Sequence, residues 1–300
     1  VLPTWLTFTP ETGIFSGTPA NGDVGSIEVK VTATDAANAN VSAAFFINVA
    51  NVNDQPTGNV VITGTPSQGA TLSADISAIT DADGLGTFSY QWKADGTPIT
   101  GATESTFVLT QDQVGKAITV TAFYTDGFGE SESLTSAETA AVGNVNDEPT
   151  GNVTITGTPT QGETLTAITS AIADADGLGT FSYQWQADGT AIAGATENTF
   201  VLTQEQVGNA ITVTAFYTDG FGESESLTSA ETAAVGNVND IPTGAVTITG
   251  TASQGESLTA DVSAIADLDG LGSNGFSYQW KADGSNIADA KASTLVLSQD

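Results

Sequence analysis

The residues whose chemistry stands out are carboxylates and amides, and they lie in three short segments. These segments are Asn51-Val-Asn-Asp54, Asp81-Ala-Asp-Gly-Leu-Gly86 and Thr125-Asp-Gly-Phe-Gly129. Carboxylate and carbonyl oxygens suit Ca²⁺, which takes about six to eight oxygen ligands, and they suit zinc poorly. The spacing does not fit an EF-hand, because Leu85 and Trp92 fall where such a loop needs ligands. If the fold brings the segments together, they predict a calcium site.

The same segments recur along the chain at a fixed interval. Asn-Val-Asn-Asp ends at Asp54, Asp147 and Asp240, which are 93 residues apart. Each recurrence supplies its own set of candidate calcium ligands. The predicted metal ligands are Asn53, Asp54, Asp81, Asp83 and Asp126 in the first set, Asn146, Asp147, Asp174, Asp176 and Asp219 in the second, and Asn239, Asp240, Asp267 and Asp269 in the third.

Composition narrows the possible functions. The 300 residues include 35 Asp and Glu against 5 Lys, with no His, Cys or Met. Too few cations are present to neutralise phosphates, so neither nucleic acid nor an anionic membrane is an expected partner. Without His or Cys, a Ser-His-Asp triad, a thiolate nucleophile and an ordinary zinc site are excluded. A carboxylate pair could in principle hydrolyse glycosides, but no cation is present to tune such a pair, and no enzyme activity is expected.

The 93-residue interval also defines the domain organisation. Residues 55–147 and 148–240 are identical at 79 of 93 positions, and a third copy starts at Ile241. This period is too long for a solenoid unit and suits a string of small domains. We therefore predict four parts: the C-terminal portion of a different domain (1–54), repeat 1 (55–147), repeat 2 (148–240) and a truncated repeat 3 (241–300). With neither a signal peptide nor an initiator Met, the sequence is expected to be a piece of a longer chain.

Each repeat has the pattern of short β-strands separated by turns. In repeat 1 the alternation of apolar and polar residues predicts strands over 59–64, 71–78, 88–92, 105–109, 117–125 and 134–142. Trp92, Trp185 and Trp280 are expected in the core, and Asp95, Asp188 and Asp283 in hairpin turns. About seven such strands are typical of a β-sandwich, so the fold class is all-β, a linear array of tandem immunoglobulin-like or cadherin-like sandwiches.

One strand of repeat 2 contains a conflict between its pattern and its register. Asp75-Ile76 of repeat 1 is replaced by Ile168-Thr169, which reverses polarity at two successive positions. A strand that kept its register would place Ile168 outward and Thr169 inward. We expect the register to be kept, because Leu165 matches Leu72.

Residues 55–300 resemble the tandem immunoglobulin-like modules of large bacterial surface adhesins, including type I-secreted, RTX-type ones. The resemblance is carried by Tyr90-Gln-Trp92, the Asp95-Gly96 turn and Val114-Gly-Lys-Ala-Ile-Thr-Val120. The segment 1–54, with Leu2-Pro-Thr-Trp-Leu-Thr-Phe8, resembles the second half of a dystroglycan-type cadherin-like domain. The linker resembles the cadherin Asp-x-Asn-Asp-Asn motif, although Asn51 replaces its first Asp. These resemblances imply a calcium-dependent extracellular stalk.

In an immunoglobulin-like sandwich the loops after the second and sixth strands lie at the pole where the chain enters. Asp81, Asp83 and Asp126 are therefore expected beside Asn53 and Asp54. The predicted function is a structural and adhesive module, secreted or attached to a cell surface, with Ca²⁺ at each junction and a rod-like shape. Expected partners are the neighbouring domains of the same chain. Four alternatives stay open: glycan binding, homophilic binding, self-assembly into an extracellular fibre, and a spacer in a secreted polysaccharide-degrading enzyme.

Overall fold

The computed structural model describes residues 1–299 of the chain. These residues fold into antiparallel β-sheets joined by loops and three short 3₁₀ turns, at Asn21–Asp23, Gln111–Gln113 and Gln204–Gln206. Contacts divide the chain into two compact units, Val1–Asn146 and Asp147–Asp300. Within the described residues, no helix is long and apolar enough to cross a membrane. The predicted all-β class is confirmed.

Residues 1–54 form two antiparallel hairpins. Their strands are β1 (Leu6–Thr9), β2 (Ile14–Gly17), β3 (Gly25–Thr34) and β4 (Asn40–Val49). β1 pairs with β2, and β3 pairs with β4 over their full length. Within the first hairpin the tilted rings of Phe8 and Phe15 have centroids 4.6 Å apart, and the ring of Phe15 meets that of Phe45 on β4 edge to face, with centroids 5.7 Å apart. The aromatic contacts therefore hold the two hairpins on a common side.

Repeat 1 folds as a sandwich of two sheets. Its strands are β5 (Val61–Thr63), β6 (Thr71–Asp75), β7 (Ser89–Ala94), β8 (Thr97–Pro98), β9 (Thr106–Val108), β10 (Ile118–Thr125) and β11 (Ser131–Thr135). One sheet has the order β5-β6-β9 and the other β11-β10-β7-β8. This is the immunoglobulin order, in which the first, second and fifth strands face the third, sixth and seventh. The additional strand β8 extends the second sheet beyond β7.

Apolar residues alternate with polar ones along the strands, and the apolar side chains form the core between the two sheets. Ile118, Val120 and Ala122 on β10 are fully buried, as is Trp92 on the neighbouring β7. Trp92 stacks on Phe107 from the opposite sheet and donates its indole N–H to the Glu104 carbonyl at 2.9 Å. The Asp95-Gly96 pair has φ of 45° and 76°, which a tight hairpin between β7 and β8 requires. The predicted core tryptophan and hairpin turn are confirmed.

The last strand of repeat 1 differs from its prediction. A strand was expected over 134–142, whereas β11 covers Ser131–Thr135 and is followed by an irregular segment. That segment makes isolated parallel bridges, Val114 with Val142 and Ser67 with Gly143. The Asp126-Gly-Phe-Gly129 turn is tight enough to start the returning strand at Ser131, opposite Thr125. The prediction placed the strand too late because it followed hydrophobicity rather than the turn.

Repeat 2 has the same strand order as repeat 1. Its strands are β12 (Thr154–Thr156), β13 (Thr164–Ile168), β14 (Ser182–Ala187), β15 (Thr190–Ala191), β16 (Thr199–Val201), β17 (Ile211–Thr218) and β18 (Ser224–Thr228). β12 pairs with β13 so that Ile155 faces Ala167, just as Ile62 faces Ala74 in repeat 1. The predicted conservation of register is confirmed. In repeat 1 Ile76 packs on the core, and Thr169 stands at that position in repeat 2.

Repeat 3 forms the first part of the same sandwich. Its strands are β19 (Thr247–Thr249), β20 (Ser257–Asp261), β21 (Lys281–Ala282), β22 (Ser285–Asn286) and β23 (Thr294–Val296). β19, β20 and β23 make one sheet, and β21 pairs with β22. The ring of Trp280 remains buried and donates to the Ala292 carbonyl at 2.9 Å. The tryptophan contact of repeats 1 and 2 is thus already formed in this shorter stretch.

Candidate functional site

The linker preceding repeat 1 is held by the first acidic loop. The backbone N–H of Asp54 donates to Oδ2 of Asp83 at 2.7 Å. Asp83 is itself oriented by a turn in which its own N–H donates to Oδ1 of Asp81 at 2.8 Å. Two predicted ligands, Asp81 and Asp83, therefore lie beside the predicted linker residue Asp54.

The second acidic loop, between β10 and β11, lies against the first. The N–H of Gly127 donates to the Asp83 carbonyl at 3.1 Å. This approach needs glycine, because a Cβ on Gly127 would be 2.5 Å from that oxygen, and one on Gly86 would be 2.0 Å from the Thr125 carbonyl. Asp126 closes its own turn, as Oδ1 accepts from the N–H groups of Phe128 and Glu130, each at 2.9 Å. The glycines of both motifs thus allow the acidic loops to touch.

Two further polar side chains enter this region that the sequence did not single out. Tyr124 on β10 donates its hydroxyl to Oδ2 of Asp81 in a short hydrogen bond. Glu132 on β11 is buried and accepts from Nδ2 of Asn53 at 2.7 Å. Tyr124 and Glu132 are direct cross-strand partners. Counting back from the Asp126-Gly turn could have paired them, but both residues read as ordinary members of alternating strands.

Several oxygens in this region are buried and have no hydrogen-bond partner. They are Oδ1 of Asp83, Oδ2 of Asp126 and Oδ1 of Asn51. Asp83 is 4% exposed and Asp126 is 7% exposed. None of the five lysines falls in the linker or the two loops. Unpartnered buried carboxylate oxygens are costly, so their presence requires a compensating interaction.

Hydrogen bonding and burial shift two ionisation equilibria here. The pKa of Asp83 is held below its ordinary value, chiefly because the Asp54 N–H donates to it, while burial acts in the opposite direction. The pKa of Tyr124 is raised, first by burial, then by its hydrogen bond to Asp81 and by nearby carboxylates that include Glu132. The carboxylate of Asp83 is therefore favoured in its charged form and the hydroxyl of Tyr124 in its neutral form.

The segment before repeat 1 contributes one direct contact to this region. Nδ2 of Asn21, in the first 3₁₀ turn, donates to the Ala82 carbonyl at 2.7 Å. Ala82 lies between the two aspartates of the first loop. Residues 1–54 therefore contact the first acidic loop through the Asn21 side chain as well as through the linker.

Repeat 2 reproduces the arrangement. The N–H of Asp147 donates to Asp176 at 2.7 Å, that of Asp176 to Asp174 at 2.8 Å, and the hydroxyl of Tyr217 to Asp174 in a short hydrogen bond. The Gly220 N–H reaches the Asp176 carbonyl at 3.0 Å, and Oδ2 of the 7%-exposed Asp219 is buried without a partner. Asn146 ends the first compact unit, so its predicted role beside these loops stays a prediction.

Repeat 3 makes the same linker contact. The N–H of Asp240 donates to Asp269 at 2.7 Å, and that of Asp269 to Asp267 at 2.9 Å. Asp269 is exposed, in contrast to Asp83 and Asp176. The side chain of Asn239 donates to the Asp240 carbonyl at 3.1 Å rather than to a loop.

The predicted ligands are neighbours, but they do not form a finished coordination shell. Among residues 1–299 no three acidic side chains are arranged as a group that could hold a metal ion. Asn53 in particular contacts Glu132 and not an aspartate of the loops. The donor set nevertheless fits a hard cation, because the unpartnered atoms are carboxylate and amide oxygens. The predicted ligand roles of these residues stay predictions.

Residues 1–50 match the family model He_PIG, described as "Putative Ig domain". No curated protein matches the chain. With the immunoglobulin strand order of repeats 1 and 2, the family match confirms the predicted resemblance to tandem immunoglobulin-like domains. The narrower prediction of a cadherin-like domain over 1–54 stays a prediction.

Solved structures with similarity to the chain include two from adhesion proteins. One is titled "Ca2+-stabilized adhesin helps an Antarctic bacterium reach out and bind ice", with 15% identity over 80% of this chain and 66% of that chain, and a TM-score of 0.32. Another is a tetra-tandem repeat in the extending region of a large adhesion protein, with 16% identity over 87% and 78% and a TM-score of 0.26. Domains A168–A170 of titin match with 13% identity over 77% and 83% and a TM-score of 0.24.

Proposed function

We propose that this chain is a structural module of an extracellular adhesin, in which Ca²⁺ binds where the linker enters each sandwich and stiffens the junction. The chain then acts as a stalk that holds a binding domain away from the cell. The partners in this role are the neighbouring domains of the same chain. It needs no catalytic group, in keeping with a composition that lacks His and Cys.

One observation carries the proposal: the unpartnered oxygens of Asp83 and Asp126 in repeat 1. Two nearly buried carboxylates of like charge lie in contacting loops, and no lysine falls in these segments. A buried charge of this kind is strongly unfavourable unless an opposite charge compensates it. A divalent cation bound by oxygen ligands would supply that charge.

Within repeat 1 the residues that would hold the ion are Asp83, Asp126 and Asn51, with Asp54 and Asp81 beside them. Asp81 is already engaged by the Tyr124 hydroxyl and by the Asp83 N–H. Its part is therefore to orient Asp83 and to add negative charge. In repeat 2 the equivalent aspartates are Asp176 and Asp219, with Asp174 in the orienting position.

The composition supports an extracellular setting. Thirty excess negative charges and no cysteine suit a chain that folds where calcium is abundant and needs no disulfide. Near-identical tandem copies change the length of a chain without requiring new chemistry. A stalk is a function in which length itself is useful.

Melting and scattering of the whole chain test the proposal together. Calcium should raise the melting temperature by mass action on the folded state. Small-angle scattering should show a narrower spread of end-to-end distances in calcium than in chelator. Equal melting curves in calcium and chelator would contradict the binding of calcium. Scattering that does not respond to calcium would contradict the stiffening of the junctions.

A ligand-binding module is a second candidate, and one specific feature favours it. Phe128 and Phe221, at the tips of the second acidic loops, are 46% and 52% exposed. Leu85 and Leu178 on the first acidic loops are also about half exposed. An apolar tip beside a cation could bind a sugar ring or another domain. Binding of a glycan panel that is lost in Phe128→Ala with Phe221→Ala would favour this candidate.

A further inference from the structure

The linker that leaves repeat 2 is attached to that repeat before it reaches repeat 3. Gly236 forms a parallel bridge with Thr160: the Gly236 N–H donates to the Pro159 carbonyl at 2.8 Å, and the Gln161 N–H donates to the Gly236 carbonyl at 2.9 Å. The backbone on both sides of Thr160, up to the N–H of Gln161, is therefore fixed against the start of the linker.

The side chain of Gln161 continues this attachment further along the linker. Its Oε1 accepts from the N–H of Val238 at 3.1 Å, and its Nε2 donates to Oδ2 of Asp240 at 2.8 Å. Glutamine is suited to this double contact, because it carries a donor and an acceptor on one amide group. One side chain thus spans the linker from Val238 to Asp240.

Asp240 connects Gln161 to the next repeat. Its N–H donates to Oδ2 of Asp269 at 2.7 Å, and the N–H of Asp269 donates to Oδ1 of Asp267. A continuous path of hydrogen bonds therefore runs from Gln161 in repeat 2 through Asp240 to the first acidic loop of repeat 3.

The equivalent glutamines of repeats 1 and 3 allow a comparison. In repeat 1, Oε1 of Gln68 accepts from the Val145 N–H at 3.2 Å, which repeats the contact of Gln161 with Val238. In repeat 3, Nε2 of the equivalent Gln254 donates to Gln299 at 3.3 Å, and both residues lie outside the linker between repeats 2 and 3. Gln254→Ala is therefore a matched control for Gln161→Ala.

We infer that Gln161 is a positioning residue that sets the direction of the linker leaving repeat 2 and orients Asp240 toward repeat 3 before any cation binds. Oδ2 of Asp240 makes the contact with Gln161. Ordering the linker in advance lowers the entropic cost of binding at the junction. Only the calcium measurement below rests on the proposed function.

The test measures distances between repeats 2 and 3 in the full chain. The chain has no cysteine, so Thr190→Cys with Ser285→Cys, both at exposed positions, places one spin label in each repeat. Double electron–electron resonance in chelator should give a narrow distance distribution. Gln161→Ala should broaden it, whereas Gln254→Ala should leave it unchanged. An unchanged distribution in Gln161→Ala would overturn the inference.

Gln161→Glu distinguishes the contact of Gln161 with Asp240 from a general structural role of the residue. The glutamate keeps an acceptor for the Val238 N–H but places a like charge beside Asp240. The distribution should therefore broaden in chelator and narrow again in calcium, because a cation can bridge two carboxylates. A narrow distribution in chelator would show that the Asp240 contact is dispensable, and would overturn the inference even if Gln161→Ala failed to fold.

Calcium titration of the same variants completes the test. Gln161→Ala should weaken binding by about two- to tenfold, the equivalent of one ordinary hydrogen bond, while Gln254→Ala should not. An unaltered calcium affinity in Gln161→Ala would contradict the inference that Gln161 orders Asp240 before calcium binds. Absence of calcium binding in every variant would count against the proposed function. The distances in chelator would still test whether Gln161 orients Asp240.

Discussion

Asp83 has one carboxylate oxygen engaged by the linker and the other buried without a partner. The first contact fixes where the chain enters repeat 1, and in the proposed function the second oxygen binds the cation. The same residue is therefore expected to couple linker position to calcium. Asp176 makes the equivalent linker contact in repeat 2.

Asp83→Asn with Asp176→Asn tests this coupling at the residue scale. The amide still accepts from the linker N–H but carries no charge, so the double variant should lose most of its stabilisation by calcium. For the unmodified chain that gain is about 2.7 kcal/mol when free calcium is a hundredfold above Kd. In chelator the variant should be at least as stable as the unmodified chain. Thermal melts in both conditions measure the difference.

The matched control is Asp95→Asn with Asp188→Asn. These aspartates sit in hairpin turns at φ of 45°, which asparagine tolerates, and each accepts from a backbone N–H that an amide oxygen can also accept. The change in net charge equals that of the first pair. If both pairs reduced the calcium effect equally, net charge rather than the site would be responsible.

Tyr124 and Tyr217 give the site a dependence on alkaline pH. Their pKa values are raised in the folded state above the ordinary 10.0. Below pH 10 both states keep the proton; above it only the unfolded state loses the proton, so stability falls as pH rises. The slope should be about 1.4 kcal/mol per pH unit for each tyrosine.

Tyr124→Phe with Tyr217→Phe should remove that slope. The double variant should also be less stable at neutral pH, by about 1–3 kcal/mol for each lost hydrogen bond to a carboxylate. Denaturant unfolding at a series of pH values gives both quantities. An unchanged loss of stability above pH 10 in the variant would contradict the assignment.

The aspartates of the site were predictable because Asp-x-Asp-Gly and Asp-Gly are turn sequences whose place in a sandwich is fixed by strand order. Tyr124 and Glu132 were not, because their roles arise from cross-strand pairing and burial. Neither property is visible in the residue types alone. The unpartnered state of individual oxygens likewise depends on contacts among three separate segments.

At the scale of elements, the alternation of apolar and polar residues along the chain predicted most of the strands. Ile118, Val120, Ala122 and Tyr124 were expected on one side of a strand, and all four are buried. The strand after the Asp126 turn was misplaced, because its hydrophobic pattern continues beyond residue 135 into a segment that makes only isolated bridges. Hydrophobic pattern alone does not tell where pairing stops.

Exchange of Ile76 and Thr169, which directly follow β6 and β13, tests the core packing at the ends of these strands. Ile76 packs on the core of repeat 1, whereas the equivalent residue of repeat 2 is Thr169. Repeat 2 should therefore be less stable than repeat 1 by about 1 kcal/mol. Thr169→Ile should stabilise repeat 2, and Ile76→Thr should destabilise repeat 1 by a similar amount.

Hydrogen exchange on the full chain can follow the two repeats separately. Peptides that cover 59–80 and 152–173 differ in sequence and in mass, unlike those from the identical stretches 117–147 and 210–240. Slower exchange in repeat 2 than in repeat 1, in saturating calcium, would refute the packing argument.

At the scale of the whole molecule, the repeat length and the acidic composition pointed to a string of calcium-dependent domains. The same local contacts recur in each repeat: a linker N–H donates at 2.7 Å to Asp83, Asp176 and Asp269 in turn. Because the contact recurs, a measurement at one junction can be compared with the same measurement at the others.

Calorimetric titration of calcium into the full chain tests the central claim most directly. The account predicts saturable binding, with the sites of repeats 1 and 2 lost in Asp83→Asn with Asp176→Asn. The control pair Asp95→Asn with Asp188→Asn should bind as the unmodified chain does. Absence of binding, or binding that Asp83→Asn with Asp176→Asn leaves unchanged, would contradict the claim that these buried carboxylates hold the ion.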